Sequence, residues 1–476
     1  MIKKLLSCLI LGAGPLLFAT SLYAQKDLKV WRSSAEPLQE IEAIRKNIIV
    51  PVFKDQDYLL SDYGAVGDGV AKNTEAFKQA IEACHAKGGG RVIVPAGRYL
   101  TGPIYLKSNV NLHLTEKAVI VFSQETADYP LVLSRWEGMD CMNYSPQIYA
   151  YQEKNIAVTG NGTIDGNADK ENWWPWKGRE SYGWKKGEPN QFRAREVLHM
   201  MMKERIDPRR RIFGDGHHLR PYMFQPYACE NILLSGVKMV NSPMWFISPV
   251  MCENVIIEYL RVQSHGPNTD GCDPDACRNV LIRDCYFDTG DDCIAIKSGR
   301  DEDGRDNKHP AENHIIERCI MKNGHGGIVI GSEIAGGARN IYALDCQMSS
   351  PNLDRVLRVK TSSSRGGTIE NIFLKGIAVG QYRDAALRFN MFYENPGQHI
   401  PIIRNIWIEN LQVSDGGNYG IYVNAYAESP VQHLRFINSD IKGVKEAVKV
   451  NHISDWKLEG VRINGKLVTP KDLNQK

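Results

Sequence analysis

The chain has 476 residues, 43% hydrophobic and 24% charged, which predicts one large soluble globular domain and excludes disorder, a coiled coil or a multi-span membrane protein. Its 58 basic and 55 acidic residues leave a formal charge of +3, without the basic excess needed to track a nucleic acid backbone. Nucleic acid is therefore not expected as a partner, while local basic clusters stay available for an acidic polymer.

Lys3 and Lys4 precede an apolar run from Leu5 to Phe18, followed by small and polar residues ending at Tyr23-Ala24-Gln25. That order predicts an export signal over residues 1–24. A membrane anchor is the competing reading, but the run is short and broken by Gly12, Gly14 and Pro15, so no stable membrane partner is expected. A simple signal with no visible sorting tail favours the periplasm over the surface. Of 11 cysteines, Cys8 lies too near the start for lipid attachment, and no C-x-x-C pair occurs to suggest zinc or dithiol chemistry. Cysteine spacing leaves disulfide pairing open, and nothing fixes an oligomeric state.

Residues 25–60 read as a lead-in segment. From Asn73 a helical pattern places Phe77, Ala80, Ile81 and Cys84 on one face; Asn73 is expected to cap it and Gly88-Gly89-Gly90 to end it. This predicts a single helix closing an apolar end. Short β-type runs follow at 91–94 and 104–106. Then asparagine opens one β-branched run after another, at Asn155, Asn231, Asn254, Asn279, Asn313, Asn340, Asn371 and Asn405, with steps from Asn231 of 23, 25, 34, 27, 31 and 34 residues. A variable step around a short strand fits the coils of a parallel β-helix, an all-β solenoid in which inward apolar residues stack and insertions leave as loops. The asparagines are expected to form side-chain ladders at the bends. The 76-residue gap from Asn155 to Asn231 exceeds one coil and holds Trp173, Trp174, Trp176, Trp184, Arg209-Arg210-Arg211, His217, His218 and Arg220. It reads as a loop insertion at about 167–222 in a solenoid running over 61–476. Its tryptophans suit stacking on sugars or packing of the loop.

The chemistry concentrates after Asn268. Asp270 lies 21 and 22 residues before the Asp291-Asp292 pair, close to one coil, and adjacent coils about 4.8 Å apart would bring the three carboxylates together. Gly324-His325-Gly326-Gly327 lies one coil on. In Leu357-Arg358-Val359-Lys360 the alternation puts both cations on one strand face. Singly, Asp270 suits a turn, His325 a surface site, and Arg358 and Lys360 a solvated face. Their succession points to hydrolysis of an acidic sugar polymer.

Asn268-Thr269-Asp270, Gly290-Asp291-Asp292, Gly324-His325-Gly326 and Arg358-Val359-Lys360, in this order, resemble the polygalacturonases, glycoside hydrolase family 28. The resemblance implies a right-handed parallel β-helix that cleaves α-1,4 links between galacturonic acids with inversion, without metal or other cofactor. Asp291 would be the general acid, starting protonated among crowded carboxylates. Asp270 and Asp292 would hold and activate the water, at a separation of about 6.5 to 9.5 Å from the acid. His325 would tune the site. Arg358 and Lys360 would bind the galacturonate carboxylate, with Lys297, His265 and Asn268 as further substrate-binding residues. Asp273-Pro274-Asp275, Ile330-Gly331-Ser332-Glu333 and Ser364-Arg365-Gly366-Gly367 resemble bacterial exo-acting members. Val359 stands where isoleucine is common in the family, a β-branched exchange that keeps the strand. The alternatives are a branched or rhamnogalacturonan substrate, a calcium-dependent pectate lyase, and a noncatalytic carbohydrate-binding solenoid.

Overall fold

The computed structural model describes residues 30–470, so the expected leader lies outside the described residues. The chain winds through coils whose strands pair in parallel with the strand one turn earlier and one turn later, building three faces. A 13-stranded sheet runs from Asp57–Leu59 to Ile453–Glu459 and a 14-stranded sheet covers a second face. The third face carries a six-stranded sheet from Ile294–Ile296 to Glu446–Asn451, preceded by a three-stranded one ending at Phe224–Tyr227. The first strand, Asp57–Leu59, pairs with Gly90–Val94, so the solenoid begins four residues ahead of the expected Ser61.

Inward positions stack in register. Ile232, Val255, Val280, His314, Ile341, Ile372, Ile406 and Leu434 form one column along the 13-stranded sheet, and all are fully buried. Burying each aliphatic member contributes about 1.5–3 kcal/mol. His314 enters this column as the neutral imidazole: burial pushes its pKa down to about 4, and Nε2 meets the Cys277 carbonyl at 3.0 Å. The ten described cysteines are all free and buried, acting as small core residues.

The asparagine ladder is present. Asn155, Asn231, Asn254, Asn279, Asn313, Asn340, Asn371 and Asn405 all hold φ between 53° and 60°, a region asparagine tolerates better than branched residues. Each side-chain amide donates to the amide oxygen one coil earlier, at 2.5–3.3 Å, back to Asn109. The helix Thr74–Ala86 covers the apolar end with Phe77, Ala80, Ile81 and Cys84 buried. Asn73 does not cap it by its side chain as expected. That amide accepts from Val66 N and donates to the carbonyls of Val66, Ala71 and Leu100, clamping the incoming loop instead.

The lead-in holds a helix, Ala35–Asn47, that seats Ile41 and Ile44, with Trp31, on the outward residues Leu281, Ile315, Tyr342, Phe373 and Trp407 of the 13-stranded sheet. Two excursions rise beside the six-stranded sheet. One is an antiparallel hairpin, Leu131–Trp136 with Met139–Tyr144. The other spans the expected insertion and includes the helix Phe192–Lys203. Leu198 and Met202 pack with Trp136, Tyr222 and Trp245 into a core of their own. Trp173 is buried against Tyr129, Tyr144 and Trp176, so these tryptophans pack the loop. Buried Arg211 pairs with Asp303, and Arg135 with Asp140 and Asp275, pinning the excursions to the coils.

Candidate active site

Bridges between Cys272 and Ile294 and between Ile294 and Ile328 set the register of successive coils. Asp270 and Asp292 stand two residues before the first two of these, at the same position of adjacent turns. Asp291, one residue earlier, turns toward solvent and is partly buried, whereas Asp270 and Asp292 are buried. Oxygens of the three carboxylates lie within 4.8 Å of one another. This agrees with the coil spacing read from sequence and is tighter than the separation of about 6.5 to 9.5 Å that the resemblance implied.

The glycines permit this closeness. At Gly290 a Cβ would come 2.4 Å from the Gly266 carbonyl oxygen, and at Gly324, where φ is +154°, 2.7 Å from the Asp291 carbonyl oxygen. With no side chain there, the coil carrying His325 closes onto Asp291: His325 N donates to Asp291 O at 3.1 Å, and Nδ1 meets Asp291 Oδ1 at 2.9 Å. Asn268 Nδ2 lies 3.5 Å from Asp291 Oδ2, and its Oδ1 accepts from Lys177 Nζ at 2.6 Å and Arg220 at 2.9 Å. Two cations on one oxygen fix which way that amide points.

Arg358 and Lys360 share the outer face of one strand, as the alternation predicted. Lys360 Nζ is 2.6 Å from Asp292 Oδ2 and Arg358 3.4 Å from Oδ1. Lys297 is buried over the Trp245 ring, 3.0 Å from Glu333 and 3.9 Å from Asp273. His265 departs from expectation: it pairs with Asp288 at 3.2 Å and does not line the cavity. Ser264, two residues after an inward-facing Val262, ends its strand, and the chain then turns His265 outward.

Asn268, Asp270, Asp291, Lys297, His325, Arg358 and Lys360 line a cavity of 530 Å³, with Asp292 buried behind its wall. Sequence reasoning missed much of its wall: Glu137 from the hairpin, Lys177, Tyr182 and Arg195 from the insertion, and Tyr393 and Glu394 from a later loop. The length of the 76-residue gap was the sequence signal for Lys177, Tyr182 and Arg195, and Glu137, Tyr393 and Glu394 had none. Buried Arg300 joins Glu333 and Glu394 across the floor.

Charge is distributed unevenly. Burial, reinforced by Asp273 and Asp291, raises the proton affinity of Asp270 well above the ordinary carboxylate range. Burial also raises Asp273, whose two oxygens have no hydrogen-bond partner. For Asp291 burial pushes upward too, but the His325 hydrogen bond and charge, with Lys360 and Arg358, outweigh it and hold the group below its usual range. Asp292 is likewise lowered against burial by Lys360 and Arg358. The hydrogen bond to Asp291 raises His325. The free site therefore does not keep its proton on Asp291, contrary to the expectation from crowding: the crowding falls on Asp270, while the cations face Asp291. Asp270, Asp291 and Asp292 are the one group among the described residues placed to share a metal ion. Two of them already hold protein cations, which a metal would have to displace.

Residues 214–462 match the model of the glycosyl hydrolases family 28, and residues 60–113 that of rhamnogalacturonase A/epimerase, pectate lyase-like proteins. A hyperthermoactive exopolygalacturonase from Thermotoga maritima is 41% identical, with TM-score 0.88 over 90% of this chain and 96% of that one. A probable polygalacturonase of Vitis vinifera is 31% identical over 67% of this chain and 60% of its own length. An exo-poly-α-D-galacturonosidase of Dickeya chrysanthemi is 27% identical over 70% and 57%. The chain thus spans less than two thirds of these two curated relatives.

Proposed function

The chain belongs to glycosyl hydrolase family 28, and from that premise we propose that it hydrolyses α-1,4-galacturonosyl links in de-esterified pectin or oligogalacturonides, releasing galacturonate from a chain end. The observation that carries this reading is the juxtaposition of three carboxylates with Arg358 and Lys360 on adjoining coils, beside a cavity to whose wall the insertion contributes.

The clamp recognises an acidic sugar. Arg358 and Lys360 offer charge-assisted hydrogen bonds to a galacturonate carboxylate beside the scissile bond, and a methyl ester forfeits them. In the free site those cations, with His325, hold Asp291 ionised. A bound carboxylate offsets their charge, so the proton carried by His325 passes along the 2.9 Å contact to Asp291, which then protonates the leaving oxygen. Asp292, kept ionised by Lys360, accepts a proton from the attacking water, and Asp270 orients that water from the same position one coil earlier. Attack on the face opposite the leaving group inverts the anomeric centre. Because three carboxylates share the work, the reaction does not depend on the wide gap of a two-carboxylate site.

Exo-action is supported by Lys177 and Tyr182 from the insertion and Glu137 from the hairpin, which add to the cavity wall. We also propose export to the periplasm, on the pattern of Lys3, Lys4 and the apolar run that follows. The test is a time course on defined unesterified oligogalacturonides in chelator, with products resolved by length and anomeric form followed by proton NMR. Immediate monomer with the β-anomer is the expected result. Internal fragments would make the enzyme endo-acting, and ultraviolet-absorbing unsaturated products that need calcium would make it a lyase.

A further inference from the structure

We propose that Arg355 is a positioning residue for His325: its guanidinium holds the carbonyl of the histidine, and with it the imidazole, against Asp291. This rests on the hydrolase reading and deepens it, assigning what keeps the group that loads the acid in place.

The need for a holder follows from the sequence. His325 stands in Gly324-His325-Gly326-Gly327, where glycines on both sides give the backbone wide freedom. Its ring is half-exposed, so packing does not fix it. The turn is held instead through its carbonyls. Asp354 N donates to the Gly324 carbonyl at 2.9 Å, Cys293 N to that of Gly326 at 2.8 Å and Ile294 N to that of Gly327 at 3.2 Å. The His325 carbonyl receives no backbone N–H among the described residues; its donor is Arg355 Nη1, at 3.2 Å. A side chain thus secures at His325 what the backbone secures at the other three positions.

Arg355 is itself held at both ends. Its carbonyl accepts from Gly327 N at 2.8 Å, so the backbone and side chain of one residue bracket the turn. Asp384 Oδ2 accepts from its Nε at 2.7 Å and Asp354 Oδ2 from its Nη1 at 3.2 Å, which fixes the plane of the guanidinium. Arg388 grips the same Asp384 oxygen at 2.8 Å. Without the bond from Arg355 the peptide between His325 and Gly326 turns freely, because a glycine accepts the new backbone angles, and the ring drifts from its 2.9 Å contact with the Asp291 carboxylate.

The sign of one shift separates position from charge. Asp291, and after it Asp292 and Asp354, raise the proton affinity of His325. Removing the Arg355 cation raises it further by charge alone, whereas losing the Asp291 contact lowers it. The test follows His325 by NMR in histidine-labelled protein, assigned with His325→Gln, beside kcat and KM on an unesterified oligogalacturonide, for the wild type, Arg355→Gln and Asp384→Asn. Arg355→Gln is expected to lower the midpoint of the His325 titration by about 0.5 in pH and to cut kcat about tenfold, with KM changed less than about twofold. Asp384→Asn keeps the Arg355 charge and lies off the cavity lining, so a smaller loss of kcat at unchanged KM is expected there, and it reports even where Arg355→Gln fails to fold. A titration that stays or rises in Arg355→Gln, a loss confined to KM, or an unchanged kcat in whichever variant folds overturns the positioning role. If the wild type cleaves no oligomer while the titration still falls in Arg355→Gln, the hold on His325 stands and the hydrolase reading is removed.

Discussion

Asp291 and His325 carry the most direct predictions. Asp291→Asn keeps the size of the side chain and one acceptor for His325 and the Asp292 N–H, so the fold should survive. Turnover should fall by at least a hundredfold, since a general acid typically supplies about 10²–10⁴; rates measured beside circular dichroism decide this. His325 is raised above the imidazole value of 6.5 by Asp291. If it loads the acid, kcat/KM should decline at a pH above 6.5, and His325→Gln should abolish that limb along with most of the activity. The same groups bear on stability with opposite signs. The contribution of His325 is full below pH 6.5 and fades as pH rises through its folded value. That of Asp291, lowered from 3.8, is present above 3.8 and is lost on acidification. Asp273 behaves differently again. Its folded proton affinity is raised by burial against the pull of Lys297, and its oxygens accept no hydrogen bond, so it costs stability increasingly as pH climbs above 3.8. Asp273→Asn should therefore stabilise by about 1 kcal/mol near neutrality and less at pH 4, read by thermal unfolding at both values. Sequence pointed to the three carboxylates that the fold brings together but not to their charge states, because these depend on which side of each group the cations occupy.

Among the elements, the asparagine ladder runs through the mid-solenoid strands as a continuous chain of amides. Asn279 accepts from Asn313, donates to Asn254 and holds φ at +57°. Asn279→Ala would leave both neighbours short of a partner and place a poorly tolerated residue in that conformation. A loss of about 2–3 kcal/mol is expected in denaturant unfolding. This ladder was legible because the asparagine recurs at every coil and has one purpose throughout. Asn73 was misread because it occurs once: the rule that asparagine caps helices competes with a loop whose carbonyls claim the same amide, and only the fold brings Leu100 and Val66 to it. The insertion was visible as a gap, yet the groups it contributes were not. Lys177 reaches Asn268 across 91 residues, a pairing that no local spacing announces.

At the scale of the whole molecule, a chain of formal charge +3 offers the acidic substrate proposed for it local clusters of cations and not net attraction. Raising ionic strength should therefore increase KM for long oligogalacturonides more than for the dimer, with kcat little changed, because exposed cations are screened and the buried clamp is not. Steady-state kinetics across a salt series check this. The sequence by itself determined the solenoid, the order of the coils that carry the candidate site and the placing of Arg358 and Lys360 on one face, since period-two strands and a repeated asparagine are local patterns that hydrophobic burial enforces coil by coil. Only the tertiary structure decided that His265 turns away from the cavity, that Asp270 and not Asp291 bears the raised proton affinity, and which residues wall the cavity. Those outcomes depend on distances between segments far apart in the chain and on the water that their packing excludes, and neither is encoded in any one stretch of residues.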